Sequence, residues 1–211
     1  MQQWVVSAAN PDPAVLRQVA GVLQQEGVVV FPTDTLYGLA ADPRSAAAVA
    51  AVFRLKGRSP GEPLPLIAAD VVQVERFAAV LSPLARRLAG IFWPGPLTLV
   101  VPALASLAPG VTAGTGNVAI RVPDHAVARG LAHWAGFPLT ATSANRSGVP
   151  PASTAAAALA GLEEGVAGVL DAGATPGGLP STIVDAGGNE PRLIRAGAIP
   201  FERVMESLQG P

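Results

Sequence analysis

The sequence of 211 residues contains no cysteine and only two histidines. The absence of cysteine excludes disulfides, a thiolate nucleophile and a zinc site with cysteine ligands. The two histidines, His125 and His133, are eight residues apart in the chain. On a helix this spacing separates them by about two turns, too far to share a metal ion without other ligands.

Charged residues are scarce as well. They make up 14% of the chain, with a formal net charge of -1, whereas 50% of the residues are hydrophobic and the mean hydropathy is +0.41. This composition excludes a disordered chain and a coiled coil. It also argues against a dedicated nucleic-acid coat or membrane-surface protein, because such proteins carry a large basic excess.

Long unbroken apolar runs are also missing. Residues 88–120 carry no charge, but Pro94, Pro96, Pro102 and Pro109 interrupt this stretch. A membrane-spanning helix tolerates few such breaks. The first residues lack the basic start of a secretory signal, so we expect a cytoplasmic protein without a membrane partner.

Helix and strand patterns alternate along the whole chain. Helices are predicted from the Asp12-Pro13 cap to Gly27, over Ser45–Leu55 before Gly57, over 124–135 and over 152–160. Apolar runs predict strands at residues 28–31, 64–68, 97–101, 118–122, 139–142, 181–185 and 193–195. We therefore predict an α/β or mixed sheet, not an all-β barrel, in a single domain over residues 1–211.

The first candidate for chemistry is the segment from Pro32 to Gly38, which follows a buried strand directly. It carries Thr33, Asp34, Thr35 and Tyr37, the only tyrosine of the chain. Ligands of open α/β sheets lie beyond the carboxyl ends of strands, so this is a plausible site. A turn capped by local threonine and aspartate bonds is the alternative.

The second candidate is Lys56-Gly57-Arg58. The chain has fourteen lysine and arginine residues, and Lys56 is the only lysine among them. Phosphate sites use the compact ammonium of lysine as a point charge, which a planar guanidinium does not replace. A lysine that stabilises the carboxyl end of a helix is the alternative.

Two further polar segments also lie at strand ends. Residues 140–148 place small hydroxyls and an amide after a strand, where they can line a ligand pocket. Ser143 has no flanking glycines, so this is not a nucleophile elbow. Residues 178–185 and 192–197 would meet only in a suitable antiparallel register, which the sequence does not reveal.

One glycine-rich motif matches the pattern of a dinucleotide-binding fingerprint but lies in the wrong structural context. Residues 114–119 fit G-x-G-x-x-A, but a dinucleotide fingerprint must follow a strand and open a helix. Here a loop precedes the motif and a predicted strand follows it. We therefore reject it, and no Walker A sequence is present.

Seven motifs, in order over about residues 10–200, resemble the YrdC-like threonylcarbamoyl-AMP synthase family. They are Pro32–Thr35 with Tyr37-Gly38, Lys56–Arg58, Trp93–Thr98, Arg121–His125, Thr142–Gly148, Pro180–Asp185 and Arg195–Gly197. Two residues depart from the family pattern: Ser59 separates the Lys-x-Arg motif from Pro60, and Ala141 stands where many relatives have serine or threonine. The chain resembles the short, single-domain members.

The resemblance implies a twisted mixed sheet flanked by helices, like that of dihydroxybutanone-phosphate synthase, and a cleft lined by positive charge. It implies that L-threonine, bicarbonate or CO₂, and ATP are joined into L-threonylcarbamoyl-adenylate with release of pyrophosphate. The product would feed a downstream tRNA-modification transferase complex. Mg²⁺ is expected with ATP, and no protein ligands are assigned to it.

The resemblance also implies the ATP-binding residues. Lys56 and Arg58 are expected to contact the triphosphate and to stabilise developing charge, which makes them the expected catalytic residues. The rest of the nucleotide is expected to meet Ser143, Asn145 and Arg195.

For threonine, the resemblance implies a second set of residues. Arg121 is expected to pair with the threonine carboxylate, because its planar fork suits bidentate contacts. Thr33, Thr35 and Ser181 are expected around the amino acid, with Tyr37 as a wall.

Three other functions are alternatives to the synthase activity, and the sequence argues against each of them. A non-catalytic module that binds tRNA or double-stranded RNA is opposed by the net charge of -1 and by the lack of any arginine run longer than Arg86-Arg87, although weak RNA binding stays open. The related carbamoyl-phosphate-dependent domains of hydrogenase-maturation proteins lie in much longer chains with zinc-finger cysteines. A dihydroxybutanone-phosphate synthase needs acidic metal-binding residues at strand ends, which are sparse here.

Overall fold

The structure is a computed structural model that describes residues 1–58, 61–162 and 164–209. Over this described part the chain forms eleven strands and eight helices. The strands are β1 (Gln2–Val5), β2 (Val29–Phe31), β3 (Gly38–Ala40), β4 (Leu66–Ile67), β5 (Leu97–Pro102), β6 (Asn117–Arg121), β7 (Leu139–Thr140), β8 (Thr142–Ser143), β9 (Gly168–Asp171), β10 (Thr182–Asp185) and β11 (Arg192–Arg195). The helices are α1 (Pro13–Gln24), α2 (Ala46–Lys56), α3 (Val71–Phe77), α4 (Pro83–Phe92), α5 (Pro109–Thr112), α6 (Ala126–Ala135), α7 (Ala155–Leu159) and α8 (Phe201–Glu206).

The strands form two mixed sheets. A five-stranded sheet has the order β1-β9-β2-β3-β8, and a six-stranded sheet has the order β11-β10-β5-β6-β4-β7. Both sheets contain parallel and antiparallel neighbours: β2 pairs parallel with β9 and antiparallel with β3, and β5 pairs parallel with β10 and antiparallel with β6. The predicted mixed α/β fold is confirmed, with two sheets in place of the single expected one.

The division into two sheets is visible at the strand predicted over residues 139–142. The chain leaves the six-stranded sheet after Thr140 and enters the five-stranded sheet at Thr142. Between them, the backbone N–H of Ala141 donates to the carbonyl oxygen of Pro65 at 2.8 Å. Ala141 therefore lies where the chain crosses between sheets, and one predicted strand becomes two short ones.

The predicted cap of α1 is confirmed. The side chain of Asp12 accepts a hydrogen bond from the backbone N–H of Ala14 at 2.8 Å, and Pro13 takes the first helical position. The helix ends at Gln24, before the predicted Gly27, because Glu26 adopts a positive φ of 64°.

Helix α2 leads directly to the Lys56-Gly57-Arg58 motif. It begins at the cap Ser45, whose Oγ accepts from the backbone N–H of Ala48 at 3.1 Å, and its last residue is Lys56. Gly57 ends the helix in the left-handed conformation, with φ of 59°, which favours glycine. The backbone N–H of Arg58 then donates to the carbonyl oxygen of Phe53 at 3.1 Å, and this bond fixes the turn.

The core lies on both faces of β2. Val30 belongs to a group of buried side chains shared with α2, α4 and β5, whereas Val29 and Phe31 pack with α1 and α6. Burial on both faces explains the continuous apolar run of this strand. The polar turn that follows it is thus held by a rigid, covered strand.

None of the helices in the described part of the chain has both the length and the apolar character needed to cross a bilayer.

Candidate active site

A cleft of about 800 Å³ opens between the two sheets. The five-stranded side contributes the turn between β2 and β3 and the strand β8, and the six-stranded side contributes parts of β4, β5, β6, β10 and β11. Polar side chains from distant parts of the sequence meet there. A concave pocket with converging polar groups is the usual form of a small-molecule site.

Most of the residues that the sequence predicted for a site line this cleft. They are Thr33, Thr35, Tyr37, Arg58, Arg121, Ser143, Ser181 and Arg195. The four candidate segments therefore meet in one place. The two other predicted residues, Lys56 and Asn145, belong to the layer behind the cleft wall at Ser143.

Lys56 is buried, with 5% of its surface exposed. Its Nζ donates to the carbonyl oxygens of Ser143 at 2.6 Å and of Asn145 at 3.0 Å. Burial, and then the positive charge of Arg58, lower the pKa of Lys56 to about 8, because both disfavour the ammonium form. The ammonium thus faces backbone carbonyls of the loop after β8.

Asn145 has both ends of its amide engaged, the oxygen with Lys56 of α2 and the nitrogen within its own loop. Its Oδ1 lies 3.4 Å from Nζ of Lys56, and its Nδ2 donates to the carbonyl oxygens of Arg146, at 3.1 Å, and of Val149. These contacts fix the loop, so Asn145 shapes the cleft wall from behind.

Arg121 lies at the end of β6 in an ion pair with Asp34. Its Nη1 is 2.6 and 2.7 Å from the two carboxylate oxygens of Asp34. The two side chains are only 9% and 12% exposed. The bonds use Nη1 alone, so the guanidinium, with its five donors, can also meet a ligand anion in the cleft. The sequence placed Asp34 in a polar turn, and the structure gives it a defined partner.

The hydroxyl of Thr33 is used within its own turn. Its Oγ1 donates to the carbonyl oxygen of Leu36 at 2.7 Å and accepts from the backbone N–H groups of Thr35 and Leu36 at 3.2 Å. The Oγ1 atoms of Thr33 and Thr35 are 3.2 Å apart. The capped-turn alternative is therefore confirmed for Thr33, although both threonines also line the cleft.

Tyr37 is fully buried and ties the cleft wall to the end of β9. Its hydroxyl donates to the carbonyl oxygen of Gly173 at 2.7 Å and accepts from the backbone N–H of Ala172 at 3.2 Å. Burial, as the largest cause, raises the pKa of Tyr37 to about 12. The phenol therefore stays protonated and forms a rigid wall.

Thr98 has no predicted role, yet it contacts the predicted residue Ser181, which in turn contacts Arg195. Its Oγ1 lies 2.8 Å from Oγ of Ser181, and Nη2 of Arg195 donates to the carbonyl oxygen of Ser181 at 2.9 Å. Burial, and then the charge of Arg121, lower the pKa of Arg195. The signal in the sequence was the Trp-Pro-Gly-Pro-x-Thr motif, which ends at Thr98.

A close backbone approach brings β11 to this group. A side chain at Gly197 would meet the carbonyl oxygen of Pro180 at 2.3 Å and the backbone of Ser181 and Thr182 at 2.5 Å. Only glycine fits such an approach. This contact explains why a glycine follows the late arginine of the motif Arg195–Gly197.

Arg58 lines the cleft and has one side-chain donor without a partner among the described residues. It forms an ion pair with Glu62, and its Nε is buried without a hydrogen-bond partner in the described part of the chain. A buried unpaired donor costs free energy unless a ligand satisfies it. The departure from the family pattern at Ser59 and Pro60 lies outside the described residues.

Four more polar residues line the cleft. They are Thr115, Asn117, Thr142 and Asp185. The first two belong to the rejected glycine motif, which is followed by β6 and not by a helix. The carboxylate of Asp185 accepts from Nη2 of Arg192 at 2.6 Å and from the backbone N–H of Gly187 at 3.0 Å. The glycine motif at residues 114–119 is thus not a dinucleotide fingerprint, as predicted, yet its residues Thr115 and Asn117 line the cleft.

The two histidines do not contribute to the cleft lining. Nδ1 of His125 accepts from the backbone N–H of Ala128 at 3.3 Å and caps α6. Burial lowers the pKa of His125, which favours the neutral ring that this acceptor role requires. His133 packs edge-on against Trp134.

The site offers no group of metal ligands in residues 1–58, 61–162 and 164–209. Within these ranges no three histidine, aspartate or glutamate side chains lie close enough together to hold an ion.

The chain is similar to known proteins over most of its length. The model of the Sua5/YciO/YrdC family, described as "Telomere recombination", matches residues 21–197. The threonylcarbamoyl-AMP synthase of Bacillus subtilis (strain 168) is 38% identical over 215 residues, which cover 100% of this chain and 62% of that protein. The chain thus spans about three fifths of the length of this relative.

Two solved structures share the fold. The crystal structure of Pyrococcus abyssi Sua5 complexed with L-threonine matches with a TM-score of 0.92 and 33% identity, over 99% of this chain and 61% of that one. Escherichia coli YciO matches with a TM-score of 0.85 and 22% identity, over 95% of this chain and 98% of that one. At that identity the second likeness concerns the fold alone.

Proposed function

This chain belongs to the Sua5/YciO/YrdC family, and from that membership we propose that it is a threonylcarbamoyl-AMP synthase. It joins L-threonine, bicarbonate or CO₂, and ATP into L-threonylcarbamoyl-adenylate and pyrophosphate. The observation that carries the proposal is one cleft in which three arginines, Arg58, Arg121 and Arg195, converge with several hydroxyl groups. A triphosphate tail and an amino-acid carboxylate both need such cations.

The proposed chemistry needs no protein nucleophile. The threonine amine forms a C–N bond with CO₂ and loses a proton, which gives a carbamate. A carbamate oxygen then bonds to the α-phosphorus of ATP, and the bond from this phosphorus to the bridging oxygen breaks to release pyrophosphate. Positioning and stabilisation of developing charge supply the catalysis, which suits a chain without cysteine.

Threonine is proposed to lie near Arg121. The guanidinium is held on one side by Asp34 and meets the substrate carboxylate with its other donors. The hydroxyls of Thr35 and Ser181 face the amino acid. Tyr37, which stays protonated, closes the pocket as a wall.

ATP is proposed to lie along Arg58, Ser143 and Arg195. The buried Nε of Arg58, which has no partner in the described residues, is satisfied by a phosphate oxygen. Arg195 provides a second cation, and Ser143 contacts phosphate or ribose. Asn145 and Lys56 support this wall from the layer behind it.

Mg²⁺ enters with ATP in this proposal. The described residues form no cluster of three acidic or histidine ligands that would hold it, so no step is assigned to a protein-bound metal. The product passes to a tRNA-modification transferase complex, and a cytoplasmic location stays a prediction.

The test is pyrophosphate release from ATP, with threonine or bicarbonate omitted in turn. Release is expected only when all three substrates are present. Arg58→Ala abolishes it with the fold intact, whereas Arg54→Ala, which removes a neighbouring exposed arginine outside the cleft, retains it. The proposal is overturned if pyrophosphate release does not depend on threonine, or if the Arg58→Ala variant keeps near-normal release.

A further inference from the structure

Lys56 and Arg58 face different surroundings although they are two residues apart. Gly57 ends the helix between them with a left-handed φ of 59°. After this turn Arg58 lines the cleft, whereas Lys56 is only 5% exposed and lies in the layer behind. The two cations of the motif are therefore not equivalent.

Lys56 fastens the segment from Ser143 to Ser147 to the end of α2. Its Nζ donates to the carbonyl oxygens of Ser143 and Asn145 at 2.6 and 3.0 Å, with Oδ1 of Asn145 and Oγ of Ser143 at 3.4 and 3.5 Å. Its own carbonyl oxygen accepts from the backbone N–H of Ser147 at 2.9 Å. Both the side chain and the main chain of one residue thus hold this segment.

We propose that Lys56 is a positioning residue, which places Ser143 at the cleft through these carbonyl contacts and does not touch the nucleotide. The inference rests on the proposed function and refines the role of this lysine within it. In the described part of the chain, the oxygens that the ammonium contacts belong to Ser143 and Asn145, and a lysine has only three N–H donors. Contact with a phosphate would require these bonds to break.

The geometry also explains why this position holds the only lysine of the chain. A compact ammonium directs its donors to oxygens of a narrow, buried pocket, whereas the planar guanidinium of arginine is larger and spreads its donors in one plane. At this buried position the two cations are not interchangeable.

The first experiment is a double-mutant cycle on kcat/KM in the pyrophosphate assay. If Lys56 acts through Ser143, then Lys56→Met and Ser143→Ala are strongly non-additive, and the double variant is about as impaired as Lys56→Met alone. The matched cycle with Arg58→Met and Ser143→Ala is expected to be closer to additive. Equal additivity in both cycles contradicts the proposal.

The second experiment uses Lys56→Arg, which keeps the charge but changes the shape. A positioning role predicts that kcat falls as it does in Lys56→Met. It also predicts that the salt dependence of the ATP dissociation constant stays as in wild type for Lys56→Met and weakens for Arg58→Met. Full activity in Lys56→Arg, or a weakened salt dependence in Lys56→Met, would contradict the positioning role.

The third measurement does not depend on catalysis. Amide hydrogen exchange of the unliganded protein is expected to accelerate in residues 143–147 of both Lys56 variants, with little change in α1 and α6. Unchanged protection of that segment refutes the proposal even if the synthase activity is real. If wild type lacks the activity but the segment loosens, the proposed function fails and the positioning contact stands.

Discussion

Nη1 of Arg121 lies within 2.7 Å of both carboxylate oxygens of Asp34, and both side chains are almost fully buried. The pair joins the end of β6 in one sheet to the turn after β2 in the other. Removal of one partner from a buried pair leaves an uncompensated charge. Asp34 therefore fixes where Arg121 presents its remaining donors to the cleft.

The change Asp34→Asn is expected to raise the KM for threonine by about tenfold or more, because a charge-assisted hydrogen bond is worth about 1.5–3 kcal/mol. The KM for ATP changes little. Steady-state kinetics with each substrate varied checks this split. The control is Asp42→Asn, which removes the carboxylate from a similar pair with Arg44 outside the cleft. Equal effects of Asp34→Asn on both KM values would argue against the role given to Arg121.

Thr98→Val removes the hydroxyl that contacts Ser181 while it keeps the side-chain volume. It is expected to lower kcat/KM several-fold and to lower the free energy of unfolding by about 1 kcal/mol, a typical value for one hydrogen bond. The reason is that Ser181, which accepts from Arg195, loses its hydrogen bond to Thr98.

The comparison variant is Thr182→Val, on the neighbouring strand. Thr182 is fully buried, and its Oγ1 donates to the carbonyl oxygen of Ile199 at 2.6 Å, away from the cleft. This variant is expected to lose stability but to keep its kinetic constants. Urea unfolding and steady-state kinetics measured on both variants separate the two effects. Wild-type kinetic constants in the Thr98→Val variant would show that the Thr98 hydroxyl does not contribute to catalysis or binding.

Lys56 gives a pH dependence whose sign differs for activity and for stability. Its pKa is lowered from 10.5 to about 8 in the folded protein, so activity that needs the ammonium declines as the pH rises through 8. Between these two values the unfolded chain binds more protons than the folded chain. The contribution of this group to the free energy of unfolding therefore rises with pH in that window.

The measurement is the pH profile of kcat and of urea unfolding, each as a difference between wild type and Lys56→Met. The decline of kcat near pH 8 should be absent from the residual activity of the variant. The stability difference between the two proteins should shift in favour of wild type from pH 8 to 10.5. A variant with the same inflection as wild type contradicts the assignment to Lys56.

Elements with local signals could be predicted from the sequence. The caps Asp12 and Ser45 and the left-handed Gly57 define α1 and α2, because each acts through bonds within a few residues. The strands β1, β3 and β9 were not predicted, and neither were the helices α3, α4, α5 and α8. The three strands are short, and β1 and β9 are defined by parallel pairing between residues far apart in the chain, which no local pattern encodes. The separation into two sheets has the same cause.

For the candidate site too, local motifs could be predicted from the sequence and long-range packing could not. The motifs named most of the polar residues that line the cleft, since most motifs place a polar side chain at a strand end and Lys56–Arg58 places one at the end of α2. The pairing of Arg121 with Asp34 and the burial of Lys56 behind Ser143 depend on how distant elements pack. The residue types were therefore predictable, but their division between the cleft and its supporting layer was not.

The most direct measurement of the central claim is mass spectrometry of the nucleotide product formed from ATP, L-threonine and ¹³C-bicarbonate. The account predicts an adenylate that carries threonine and the labelled carbon, formed together with pyrophosphate and absent when Arg58 is replaced by alanine. An adenylate of threonine without the label, or no adenylate from a folded wild-type protein, would contradict it.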